Sequence, residues 1–138
     1  MTIKVQIKGI EELNKTLQKV SKELQPVVRQ TILEVSRVEV ETKAKYAVPV
    51  DTGRLRSSIH TMEKGSNFRY TDKNGNSYDG NLKGLRVSDN EIAIGTNVNY
   101  AQDIHRRGGK NGKGQYFLLT AFENAIPKYI QRIKQVLP

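Results

Sequence analysis

The sequence predicts an α+β fold, with an antiparallel β-sheet packed against a long N-terminal helical segment and a C-terminal helix. Three observations predict it. Apolar residues recur at helical spacing near both ends of the chain, short alternating runs with turn dipeptides fill the middle, and the order reads strand, helix, helix, strands, helix without an internal repeat. The 138 residues include no cysteine. They fit one domain, residues 1–138, large enough to bury a core without disulfides or Cys-ligated zinc.

TIKVQIK reads as a strand, with Ile3, Val5 and Ile7 on one face and Lys4, Gln6 and Lys8 on the other. Gly9 breaks it. Ile10, Leu13, Leu17, Val20 and Leu24 then form one stripe of an amphipathic helix. Gln25-Pro26 stops that helix, and Pro26 suits the first turn of the next.

The second helix is expected from about Pro26 to Ala47. Its inward positions are Val28, Ile32, Val35, then Val38 or Glu39, then Ala44 and Ala47. So many β-branched residues weaken helix propensity, so packing must hold it. Pro49 ends it, because the residue before proline avoids helical geometry.

In VPVDTGRLRSSI, Asp51 or Thr52 can cap a new short helix, and Gly53 lets the backbone turn. Leu55 and Ile59, four apart, point inward and leave Arg54, Arg56 and Ser57 largely outward. The segment is a capped corner that presents arginine at the bend.

From Ile59 to Gly95 the pattern becomes short strands. FRYTDKNGNSYD predicts a hairpin around Asn74-Gly75, within residues 65–84. GLRVSDNEIAIG predicts a second, with Leu85 and Val87 leading out, a turn at 88–90, and Ile92 and Ile94 leading back. GGKNGKG, residues 108–114, is loop. The last helix starts near Phe117 and carries Phe122, Ala125, Ile126, Tyr129, Ile130, Ile133 and Leu137, with Pro127 expected to kink or divide it.

No apolar run reaches the ~20 residues of a membrane span, and the N-terminus alternates where a signal peptide would run continuously apolar. Synthesis and use in a cytoplasm are expected. The formal charge of +9 and pI near 9.8 favour nucleic acid or acidic protein faces as partners, although the surplus is spread along the chain.

Several chemical readings fail on spacing. Asp72, Asn74 and Asn76 occupy the first, third and fifth places of a calcium loop, but Ser77 and Lys83 stand where it needs glycine and glutamate. GGKNGKGQ lacks the phosphate-loop spacing and its hydroxyl. His60 and His105 lie in different segments, and Ser57 and Ser58 lack a general base. No catalytic residue, metal ligand or cofactor site is expected.

HRRGGKNGKGQY carries the cations Arg106, Arg107, Lys110 and Lys113 and no acid, on a glycine-rich stretch that holds no single shape unaided. It reads either as a solvated flexible basic loop, residues 105–115, or as one that orders against phosphates or a partner's carboxylates.

The corner also carries a family resemblance. PVDTGRLRSSI after a long amphipathic helix, then IGTNVNYAQDIHRRG, then YFLLTAFENA opening a terminal helix, resembles the minor tail or tail-completion family of long-tailed bacteriophages, the neck or head–tail joining group. IKGIEELNKTL is similar as well. The chain departs from the family at His105, Arg106 and Arg107, where an acid and an aromatic–glycine pair are usual. It departs again at Tyr116 and Thr120, near which the family has proline, and residues 65–84 look like an inserted hairpin.

The resemblance implies a non-enzymatic structural protein of the virion neck, assembled in the host cytoplasm. It would complete the tail end as a ring of about six copies between the head connector and the tail tube, basic loops facing genomic DNA in the lumen. Partner, subunit or DNA-facing contacts are then expected from Asp51, Thr52, Gly53, Arg54, Arg56, His105, Arg106, Arg107, Lys110 and Lys113. The alternative is a nucleic-acid-binding protein using loop 105–114. A small hydrolase or toxin using His60 or His105 comes third.

Overall fold

Pro26 in the first turn and Pro49 just past the last define one continuous helical segment, and the rest of the fold is arranged around it. The structure is a computed structural model that describes the backbone of residues 2–6 and, in full, residues 24–49, 53–82, 85–87 and 91–137. The helix expected over residues 10–24 lies outside the described residues apart from its last position.

Three pieces make up the long segment: α1 (Gln25–Val35), a π-helical stretch (Ser36–Glu41) and α2 (Thr42–Ala47). The π stretch corrects the expected inward face. Val38 is 62% exposed and Glu39 only half-buried, whereas Val40 is fully buried. One extra residue per turn moves the apolar stripe from Val35 to Val40, a spacing of five, and returns it to Ala44. At the junction the Thr42 amide donates to the Arg37 carbonyl, and Thr42 Oγ1 donates to the same oxygen at 3.0 Å.

Val48 is extended, as its place before Pro49 requires. Gly53, at φ +74°, turns the chain into the short helix α3 (Arg54–Ser58), whose Leu55 is buried together with the following Ile59. The strands are β1 (Thr2–Gln6), β2 (His60–Met62), β3 (Arg69–Thr71), β4 (Ser77–Asp79) and β5 (Glu91–Gly95). Two α-helices follow, α4 (Ala101–Arg107) and α5 (Phe117–Val136), with a short 3-10 turn over Lys110–Gly112 between them, so the expected loop is helical at 105–107 and again at 110–112.

Both sheets are antiparallel. One has the order β1-β5-β2, with Ile3 opposite Ile94 and His60 opposite Gly95. The other is the β3–β4 hairpin around Asn74-Gly75, with Tyr70 opposite Tyr78. The second expected hairpin is not formed. Residues 85–87 carry no strand, and β5 pairs with β1 and β2 instead. Ile92, Ala93 and Ile94 are all buried although they point to alternate faces, so β5 is a central strand covered on both sides.

The helix α5 lies along α1, the π stretch and α2, while β5 and β2 contact the same long segment. Val28, Ile32, Leu33, Val40, Ala44, Ile94 and Tyr129 belong to one apolar cluster drawn from the long segment, β5 and α5. Within it the Ser36 hydroxyl and the Tyr129 hydroxyl are 2.6 Å apart. Burial pushes the Tyr129 phenol up to about 12, partly offset by that hydrogen bond. Pro127 does not divide α5, which runs unbroken over 20 residues with Pro127 on its exposed side.

Candidate partner-contact surface

The two segments singled out by sequence meet in space. The junction is Pro49. A side chain on Gly109 would place its Cβ 2.7 Å from Pro49 Cγ, and one on Gly114 would lie 3.1 Å from Pro49 Cδ and 3.3 Å from Ile104 Cγ2. Only residues without a Cβ let the basic loop close over the corner this tightly.

The loop has a backbone frame of its own. Gly108, at φ +79° and ψ 168°, ends α4 and donates its amide to the Ile104 carbonyl at 2.8 Å. The Gly109 amide donates to the Lys113 carbonyl at 2.7 Å, and the Gly112 amide to the Gly109 carbonyl at 2.9 Å. The Tyr116 amide closes the base on the His105 carbonyl at 2.7 Å, and Gln115 Nε2 donates to the Arg106 carbonyl at 3.2 Å. The stretch that holds no shape unaided is thus aided by Pro49 and by two helix ends.

His105 belongs to this frame. Its Nε2 accepts from the Leu119 amide at 3.2 Å, one of the amides that the first turn of α5 leaves without an intrahelical partner. Its ring is edge-on to Tyr116 and Phe117, with centroids 5.7 and 5.2 Å away. It therefore caps a helix across the chain, and burial lowers its pKa, favouring the neutral ring that can accept.

The cations remain on the outside. Arg106 pairs with Asp103 at 3.2 Å, both about two-thirds exposed, an interaction worth little in water. Arg107, Lys110 and Lys113 are exposed and make no ion pair with any described residue. Two residues where α5 begins, outside the expected contact set, are also exposed, Tyr116 at 47% and Leu119 at 40%. Tyr116 has a left-handed backbone, φ +55°. Nothing in its sequence neighbourhood signals that.

The corner arginines are docked rather than presented. Arg54 Nε donates to the Tyr70 hydroxyl at 3.3 Å, and its guanidinium lies 4.3 Å over the Tyr78 ring. The hydrogen bond to Tyr70 raises the Arg54 pKa against a smaller opposing effect of burial. Arg56 Nε donates to the Lys45 carbonyl at 2.8 Å, with its guanidinium 5.4 Å from the Tyr46 ring. These contacts bolt α3 to the hairpin and to α2. Asp51 and Thr52 lie outside the described residues, and α3 receives no side-chain cap from Gly53.

The calcium-like residues are used by the hairpin turn. Asp72 Oδ1 accepts from the Asn74 and Asn76 amides, both at 2.9 Å, while Oδ2 accepts from Asn76 Nδ2 and from the Tyr78 hydroxyl at 3.1 Å. Burial alone would raise this carboxyl, but the hydrogen bonds from Asn76, Tyr78 and Asn74 outweigh it and hold Asp72 below the ordinary aspartate range. No cluster of three metal-ligating side chains occurs among the described residues.

His60 and His105 share no partner. His60 is 3% exposed, stacked on Phe68 at 3.9 Å, with Nδ1 2.8 Å from the Ser58 carbonyl. Its Nε2 has no hydrogen-bond partner among the described residues. Burial lowers its pKa.

Among the described residues no helix is long and apolar enough to cross a membrane. The model of one family, described as bacteriophage HK97-gp10 tail component, matches residues 11–104. The match takes in the corner, both sheets from β2 onward and most of α4, and it ends just before the basic loop. No curated protein and no solved structure matches the chain.

Proposed function

This chain belongs to the HK97-gp10-like family of bacteriophage tail components, and from that premise we propose that it is a non-enzymatic subunit of the virion neck, completing the tail end and joining it to the head connector. In this reading several copies close into a ring of about six, since heterologous contacts between identical subunits either close or run on into filaments. The observation that carries the reading is the family match over residues 11–104. Two structural features support it. Both histidines are absorbed in folding, one stacked in the core and one capping α5. The loop cations stand on a backbone frame that needs none of their side chains.

Gold-labelled antibody to this chain, viewed on negatively stained virions, tests the assignment. Label at the head–tail junction is expected. Label along the tail or at its far tip would move the subunit elsewhere in the tail.

A second reading, a protein that binds nucleic acid through the basic loop, is favoured by one observation: Arg107, Lys110 and Lys113 have no acidic partner among the described residues. It requires steeply salt-dependent binding to isolated duplex DNA. Micromolar or weaker affinity at physiological salt would set it aside.

A further inference from the structure

We propose that Tyr116 and Leu119, rimmed by Arg106, Arg107, Lys110 and Lys113, form a docking face for an acidic protein surface with an apolar centre, carried by a different protein and not by a second copy of this chain. The proposal rests on the virion reading only in that the partner is then another particle protein.

The first argument is the backbone of Tyr116. At φ +55° and ψ +32° it occupies a region that side chains disfavour and glycine or asparagine accept. Folding gains little from the ring in return. It stays 47% exposed, and Phe117, buried against the same histidine, supplies the packing there. A strained aromatic held half in solvent is a group presented outward. Leu119, 40% exposed, is held beside it because its amide is fixed on His105.

The second argument is charge. From Ile104 to Phe122 the sequence contains four cations and no acid. Three of those cations lack an ion pair with any described residue, and the fourth has an exposed one that a partner carboxylate can replace with little loss. Arginine and tyrosine around an apolar centre is the composition of interface hot spots. A second copy presenting the same face is a poor match, because its four loop cations would meet these four. Duplex DNA is also a poor match. Its backbone offers no apolar counterpart to Tyr116 and Leu119.

Benzoylphenylalanine in place of Tyr116, and separately of Leu119, would be photo-activated in phage-producing cells and its adducts mapped by peptide mass spectrometry. The expected adduct joins this chain to a different protein through a peptide rich in aspartate and glutamate. With Lys110→Glu and Lys113→Glu together, its yield should fall about tenfold. An adduct to a second copy, an adduct to DNA, no adduct above that of the same probe at exposed Lys128, or an adduct indifferent to the charge reversal would each overturn the proposal.

Tyr116→Gly separates docking from folding. Its unfolding temperature should stay level or rise, while the Leu119 adduct drops; an unchanged adduct would count against the face. Mass spectrometry of purified virions tests the function reading separately. Absence of the chain from particles would remove the neck assignment and leave the adduct result standing.

Discussion

Two polar, glycine-containing turns invite a ligand reading in this chain, and they are built in opposite ways. In the β3–β4 hairpin, side chains do much of the structural work, beside the backbone bonds from the Asp72 amide to Asn76 and from the Gly75 amide to Asp72. Asp72 accepts from the Asn74 and Asn76 amides, the Asn76 side chain and Tyr78. In the basic loop the backbone does it, through amide–carbonyl bonds and close approach of Gly109 and Gly114 to Pro49. A turn that spends its carboxylate on its own amides does not offer it to a cation. A turn framed largely by backbone leaves Arg107, Lys110 and Lys113 for a partner, and that difference makes the loop and not the hairpin the surface to test.

The largest expected effect comes from breaking the backbone frame. Gly108 has φ +79° and ψ 168°, and an added Cβ would lie 2.5 Å from the Gly112 carbonyl oxygen. Gly108→Ala should cost about 3 kcal/mol, concentrated in the loop. Hydrogen exchange of the Tyr116 amide should rise sharply while the β5 amides stay protected. Unchanged exchange at Tyr116 would mean the loop is not held as described.

Asp72→Ala is the matching break in the hairpin. The Asn74 and Asn76 amides should lose protection, and the loop amides should not. The same contribution depends on pH in a definite sense. The folded carboxyl lies below its ordinary value, so its stabilisation is complete above about pH 3.9 and is lost as pH falls below that through the lower folded value. Hairpin protection factors, corrected for the intrinsic pH dependence of exchange, that vary between pH 5 and 8 would contradict this.

A smaller effect tests the base of the hairpin. His60 is neutral, buried against Phe68 and lowered in pKa by burial, with Glu41 and Lys45 the charged groups acting on it. The unfolded chain takes up the proton near pH 6.5 and the folded one resists it, so stability is constant above that pH and declines below it. The unfolding midpoint should therefore fall between pH 6.5 and 5, and His60→Phe should flatten most of that slope. Any residual slope belongs to His105, whose shift has the same sign. A slope unaffected by removing both histidines would refute the assignment.

The smallest stability effect should come from Lys110→Glu with Lys113→Glu, within about 0.5 kcal/mol by thermal unfolding, because neither side chain holds the loop. A larger loss would mean that the cations take part in the frame, and would erase the contrast with the hairpin.

The parts of this fold legible in the sequence are those governed by neighbours within about five positions. Pro26 and Pro49 bound the long helix, Asn74-Gly75 marks the hairpin, and Leu55 with Ile59 identifies the inward side of the corner. Alternation shows that Ile92 and Ile94 are strand residues. It does not show that β5 would take β1 and β2 as neighbours and refuse residues 85–87, since a strand buried on both faces carries no preference for its sequence neighbour. Helical spacing likewise places Val28, Ile32 and Val35, then misses Val40, because a π turn adds a residue where packing against α5 and the sheet requires it.

For the contact surface the division is sharper. Composition alone determined that the loop is basic, glycine-rich and without an acid, and that the chain lacks the spacing for the metal and nucleotide chemistries weighed against it. Only the tertiary structure decided which arginines are available. Arg54 and Arg56 read as presented at the bend, yet the hairpin and α2 that bind them lie ten or more residues away in the chain. His105 becomes a helix cap, Pro49 becomes the floor under Gly109, and Tyr116 becomes an exposed aromatic, each through contacts that close only when α4 and α5 meet the corner. Local spacing reports a residue's own backbone and side of an element; a partner supplied by a distant segment leaves no periodicity to read.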